Sequence, residues 1–86
     1  VGWIAGTGSM APYLRAGDYA LCAKPGRPIV GDLVVYPYHG RRVIHEVIAV
    51  KGNRFRAKGL ANLWDDGWMD CARIEWRVVR IVRIQG

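Results

Sequence analysis

Glycine and proline break this sequence so often that long helices have almost no room. Gly6, Gly8, Pro12, Gly17, Pro25, Gly26, Pro28, Gly31, Pro37, Gly40, Gly52, Gly59 and Gly67 punctuate most of its length. The segments between them are rich in β-branched and aromatic residues, which suit a pleated, half-buried surface. Strands are therefore expected at about 18–23, 32–36, 42–51, 53–58 and 74–84. The last carries Ile74, Trp76, Val78, Val79, Ile81, Val82 and Ile84, too apolar on both faces for a half-exposed strand, so it is expected at the centre of a sheet or wrapping two sheets. Gly52-Asn53 predicts a tight hairpin turn, because both residues tolerate positive φ. One helical turn is expected at 10–15, with Ser9 as its cap and Pro12 in its first turn. The expected fold is mainly β: a small coiled sheet or partly open barrel.

Eighty-six residues suffice for one domain, taken as residues 1–86. Hydrophobic residues make up 51% and charged residues 23%, a globular composition in which four Trp, four Tyr and one Phe can build a core. Thirteen Lys and Arg against seven Asp and Glu leave a charge of +6. That balance favours anionic partners without naming one. The Arg residues are scattered, so a solvated basic surface is expected before a nucleic-acid stripe. Cys22 and Cys71 allow one disulfide or none, and with the few His they form no zinc spacing. Neither a metal nor a cofactor is expected. No apolar run approaches the ~18–20 residues of a membrane span. The chain starts at Val1 without a signal-peptide pattern. A soluble protein and one with an upstream anchor both fit, and its cellular location stays open.

Three segments hold groups with chemical potential. Gly6-Thr7-Gly8-Ser9-Met10 brackets a hydroxyl with glycines, which permit a strained loop that bares backbone N–H groups. Taken alone, such a segment is usually a plain turn. His45 lies within a strand whose alternation sets Val43, His45, Val47 and Ala49 on one face. A strand holds a general base rigidly, and a serine hydroxyl needs such a base to become a nucleophile. Lys51 shares the strand face but stands about 20 Å from His45 at strand rise, too far to replace it. Asp65-Asp66-Gly67 is equally a turn or the source of a carboxylate that holds the imidazole tautomer.

In order, Gly-Ser-Met-x-Pro at 8–12, Gly17-Asp18, Gly31-Asp32-Leu-Val-Val-Tyr36, Val43-Ile-His-x-Val47 and Lys58-Gly59 followed by Asp65-Asp66 closely resemble the type I signal peptidase superfamily. The likeness spans about residues 6–67, and the last strand suits the family's closing strand. Bacterial members and self-cleaving phage-type repressors carry Lys at the position of His45. Members of the archaeal and endoplasmic-reticulum type carry His, so the chain resembles the Ser-His subclass. The resemblance implies Ser9 as nucleophile, His45 as base and Asp66 as supporting carboxylate, with Asp65 beside it. It also implies an oxyanion site made by the Ser9 N–H and the Thr7 hydroxyl. Substrates would be protein or peptide segments bound as an added strand and cut after small residues, as in Ala-x-Ala leaders. A true signal peptidase would work at a membrane, on the extracytoplasmic side. Trp3 and Ile4 would suit a membrane surface or the core equally well.

The chain departs from the family pattern at Leu60, where Asp follows Lys-Gly in the Ser-His subclass, and at Glu46, where a basic residue is usual. The departure at Leu60 favours a second reading, an idle relative that binds peptides or serves assembly. A third is a basic β-barrel binding nucleic acid through Arg54, Arg56, Arg77, Arg80 and Arg83 with Trp64, Trp68 and Trp76. The peptidase reading is preferred over both, and nucleic acid is the least expected partner.

Overall fold

The computed structural model describes residues 2–5, 19–59 and 62–82. Seven strands run through them: β1 (Gly2–Ala5), β2 (Tyr19–Ala23), β3 (Leu33–Tyr38), β4 (Arg41–Lys51), β5 (Arg54–Lys58), β6 (Trp68–Asp70) and β7 (Trp76–Val82). They form one antiparallel sheet in the order β1-β2-β7-β3-β4-β5-β6. This is the mainly β fold expected, as an open sheet: among the described residues β1 and β6 are its two ends. β7 lies between β2 and β3, the central place its apolar sequence called for. The expected helical turn at 10–15 lies outside the described residues. The described helical element is a 3₁₀ turn at Cys71–Arg73, capped by Asp70, whose Oδ1 accepts from the Ala72 N–H at 2.9 Å.

Two tight turns set the register on which the centre depends. His39 and Gly40 join β3 to β4, both with positive φ (50° and 79°), as a two-residue turn matching strand twist requires. With that turn, Tyr36 pairs with Val43 and Val34 with His45. β3 runs two residues beyond its expected end, through Pro37. In a two-residue hairpin the N–H of the second residue before the turn points away from the partner strand. On that side β7 reaches only as far as Val35, so the missing Pro37 N–H breaks no ladder. At the expected Gly52-Asn53 turn Gly52 alone takes positive φ, at 58°, and Lys51 pairs with Arg54.

Alternation then sorts the core onto two faces. Val34, Tyr36, Val43 and Val47 join Phe55, Ala57, Met69 and Ile74 on one face. Val35 and Ile44, each one residue out of phase, join Ala20 and Cys22 on the other. Because Met69 and Ile74 come from β6 and the chain after it, the β5–β6 end must curl over the β3–β4 face. Cys22 and Cys71 are free thiols that pack into different clusters.

Two bulges correct the alternation where a plain strand would turn the wrong residue inward. In β4 the register slips between Val47 and Ala49, and Ile48 is the inserted residue. Val50 rather than Ala49 therefore packs on the Val47 face, contrary to the uninterrupted period-two expectation. In β7 the pairs Leu21–Arg80 and Cys22–Val78 leave Val79 as the extra residue. This slip turns Ile81 inward and leaves Arg80 exposed. Both inserted residues are themselves exposed, Ile48 at 40% and Val79 at 47%.

Phe55 has no exposed surface and meets the Tyr36 ring edge-on at 5.4 Å. Phe55→Ala should lower unfolding free energy by about 3–5 kcal/mol. Ile48→Ala, at an exposed bulge, should cost no more than about 1 kcal/mol. Urea unfolding of the two variants checks this contrast, and equal losses would contradict the assignment of the core.

Candidate active site around His45

His45 is buried, 2% exposed, in a neighbourhood of aliphatic and aromatic side chains. β4 delivers it beside Val43 and Val47, while β3 delivers Tyr36 diagonally opposite. The third member comes from the loop joining β5 to β6. Its chain folds back on itself through the Asn62 N–H to the Gly59 carbonyl (3.0 Å) and the Asp66 N–H to the Ala57 carbonyl (2.9 Å). That second bond holds the Asp66 backbone against β5. Its carboxylate then reaches His45, with Oδ2 2.5 Å from Nδ1.

Both partners are almost wholly buried, with side chains 3% and 6% exposed. A carboxylate accepts and does not donate, so the hydrogen between them belongs to Nδ1. This choice leaves Nε2 as the nitrogen able to take a proton from another group. The Tyr36 hydroxyl donates to the same Asp66 oxygen and stands 3.1 Å from His45 Nδ1. Two hydrogens thus meet one carboxylate oxygen. Burial, followed by the Asp66 hydrogen bond and charge, pushes the Tyr36 hydroxyl far above its usual range, so it stays a donor. Edge contacts with Phe55, Tyr38 and His45 hold its ring.

Asp65 is expected beside Asp66, and the structure parts their side chains. The Asp65 side chain turns to Arg56, and its Oδ1 accepts the Gly67 N–H at 2.8 Å. Arg56 and then that N–H hold its carboxyl below the usual range. Asp65 thus shapes the turn, where Gly67 takes a φ of 81°, and touches neither His45 nor Tyr36. Adjacent residues in an extended chain point opposite ways, so one Asp serves the loop and its neighbour the cluster. Ser9 and Thr7, expected as nucleophile and oxyanion donor, lie outside the described residues, as does Leu60. Trp3 and Ile4 belong to β1.

Sequence reasoning passed over Tyr36 as a functional residue. The signal was present in the His39-Gly40 turn: once that turn is taken as two residues long, Tyr36 must pair with Val43 and lie diagonally beside His45 on the same face. A pocket of about 120 Å³ opens on the cluster, lined by His45, Asp66, Val43, Tyr38, Arg41, Arg42 and Asn62. Elsewhere Lys51, Arg54 and Trp68 line a shallower hollow, and the Arg56 guanidinium lies 5.5 Å from the Trp68 ring centre. Arg54 and Arg56 on β5 are separated from Arg77 and Arg80 on β7 by β3 and β4. Among the described residues no trio of His, Cys, Asp or Glu could hold a metal ion, and no helix is long and apolar enough to cross a membrane.

Comparison with models of protein families, with curated proteins and with solved structures found no match.

The Tyr36 hydroxyl carries a pH signature of its own. An unfolded tyrosine ionises near pH 10.0 while folded Tyr36 keeps its proton well above that. Its stabilising contribution is complete below pH 10 and is lost as pH rises, because the unfolded chain then holds fewer protons. Tyr36→Phe should lower stability by about 1 kcal/mol at neutral pH. Above pH 10 it should remove a decline of up to about 1.4 kcal/mol per pH unit. Urea unfolding at several pH values, variant against parent, reads both, and parallel alkaline slopes would contradict the buried hydroxyl.

Proposed function

We propose that this chain is a serine endopeptidase of the signal-peptidase type, cutting protein segments after small residues with Ser9 as nucleophile and His45 as base. The observation that supports this best is the 2.5 Å contact between Asp66 Oδ2 and His45 Nδ1, two groups 21 residues apart brought together in an apolar surrounding. Stability does not call for such a pair, since well-packed apolar residues often hold a core as well or better. A buried His with one nitrogen occupied by a carboxylate and the other left over is what a general base needs. The hydroxyl in Gly6-Thr7-Gly8-Ser9-Met10 supplies the nucleophile that the motif order implies.

In this reaction Ser9 Oγ forms a bond to the peptide carbonyl carbon while His45 Nε2 takes the hydroxyl proton. Asp66 stabilises the imidazolium that results. The carbonyl oxygen becomes an oxyanion, met by the Ser9 N–H and the Thr7 hydroxyl. Collapse of the tetrahedral intermediate breaks the C–N bond, with the imidazolium proton passing to the departing amine. Water then attacks the acyl-serine by the same route, giving its proton to His45 and releasing the new carboxylate and Ser9. Tyr36 holds Asp66 in place and takes no proton.

Leu60 supports a second reading, in which the fold binds extended peptides without cutting them. The two readings part in one experiment, with purified chain and a leader peptide containing Ala-x-Ala. Cleavage is expected, lost in Ser9→Ala and in His45→Ala, and reduced by about 10³–10⁴ in Asp66→Asn, with circular dichroism unchanged. Binding without cleavage would favour the second reading, and full activity in both Ala variants would overturn the assigned dyad.

A further inference from the structure

The pocket beside His45 has a strongly basic far end. Along β4 the residues Arg41, Val43 and His45 alternate onto one face, and all line the pocket. Arg41 is four residues from His45, about 13 Å at strand rise. Tyr38 pairs with it across the hairpin and lines the same wall. The neighbouring Arg42 is matched by Glu75, its Nε donating to Oε1 at 2.6 Å. Arg73 donates to the Pro37 carbonyl at 2.8 Å, at the same end of the hairpin. Arg41 itself is exposed and has no ion-pair partner among the described residues. Of the guanidinium groups at this end of the hairpin, Arg42 is met by Glu75 and Arg73 is held by the Pro37 carbonyl, while the charge of Asp66 is already met by Tyr36 and His45.

We propose that this pocket receives an acidic side chain of the peptide substrate, held by Arg41 a few residues from the bond that is cut. The proposal rests on the peptidase reading of the cluster and adds a second determinant to the small residue at the cleavage point. The size is apt: about 120 Å³ is well below the usual ~300 Å³ and more of small-molecule sites and suits one side chain. Arg is also the cation whose planar fork best matches a carboxylate. An extended peptide advances about 3.3 Å per residue, so the acidic residue should lie about two to four positions from the scissile bond.

The test uses synthetic peptides of a single Ala-x-Ala core, with Asp, Asn or Lys placed in turn at each flanking position. Binding is measured by titration against the Ser9→Ala chain, and cleavage with the unsubstituted chain. At one position the Asp peptide should bind about three- to tenfold more tightly than the Asn peptide, with Lys weakest. In Arg41→Gln, built in the Ser9→Ala chain, that ratio should fall to about one. Arg41→Lys should retain part of it, and raising salt to about 0.5 M should remove it from the Ser9→Ala chain. No preference for Asp over Asn at any position, or a preference that survives Arg41→Gln, overturns the proposal. Acid-selective binding without cleavage would sink the peptidase reading while leaving the acidic pocket standing. Cleavage without acid selectivity would sink the pocket alone, and peptides neither bound nor cut would overturn both.

Discussion

The Asp66 carboxylate sits where three pieces of chain must agree, and the rest of the molecule is arranged around that agreement. β4 offers an imidazole N–H, β3 offers a phenol O–H, and the loop before β6 brings the single oxygen that accepts both. An acceptor carrying negative charge in an apolar interior is costly unless hydrogen bonds surround it. Here those bonds come from side chains that are themselves packed or set on paired strands. Tyr36 is wedged between Phe55 and Tyr38 by edge contacts, and His45 stands on a strand paired on both sides. The polar cluster therefore inherits its precision from the apolar one around it. Nothing in this arrangement depends on a long flexible side chain finding its partner.

Such a cluster is an odd thing to keep in a domain of this size. A small core has little stability to spare, and a buried ionisable pair contributes less to it than packed aliphatic groups would. What the pair does supply is orientation: a carboxylate at Nδ1 fixes the ring and the nitrogen that carries its hydrogen. That is a requirement of proton transfer and not of folding. The proposed role of Arg41 in the adjoining pocket follows the same logic, since an exposed guanidinium adds little to stability and can add much to selectivity.

Much of this architecture was legible in the residue order because breakers and β-branched runs are local signals. The strands around Leu21, Val35, Ile44 and Phe55 and the central place of the last strand follow from them directly. β6 is three residues long, Trp-Met-Asp, too short for any period to show, and its place is set by pairing with β5. The bulges at Ile48 and Val79 are likewise invisible to alternation, because each exists to interrupt it. Of the site, His45 could be placed on its face from sequence alone. The family resemblance points to Asp66, but the residues alone do not separate it from Asp65, since that depends on a backbone bond from Asp66 to Ala57 that fixes which of two neighbours turns inward. Tyr36 lies on an expected strand, but its register against His45 was hidden by Pro37, which suggests an end to the strand short of the His39-Gly40 turn.

The turn at His39-Gly40 and the slip at Ile48 bracket a stretch of β4 whose length is locked at both ends. Between them, one added or deleted residue would rotate His45 to the opposite side of the sheet and exchange it for an aliphatic neighbour. Past Ile48 the phase has already been reset, so a change in length there leaves the imidazole where it is. Natural variation in chain length within this hairpin should therefore gather towards the Gly52-Asn53 tip and avoid the seven positions that follow Gly40.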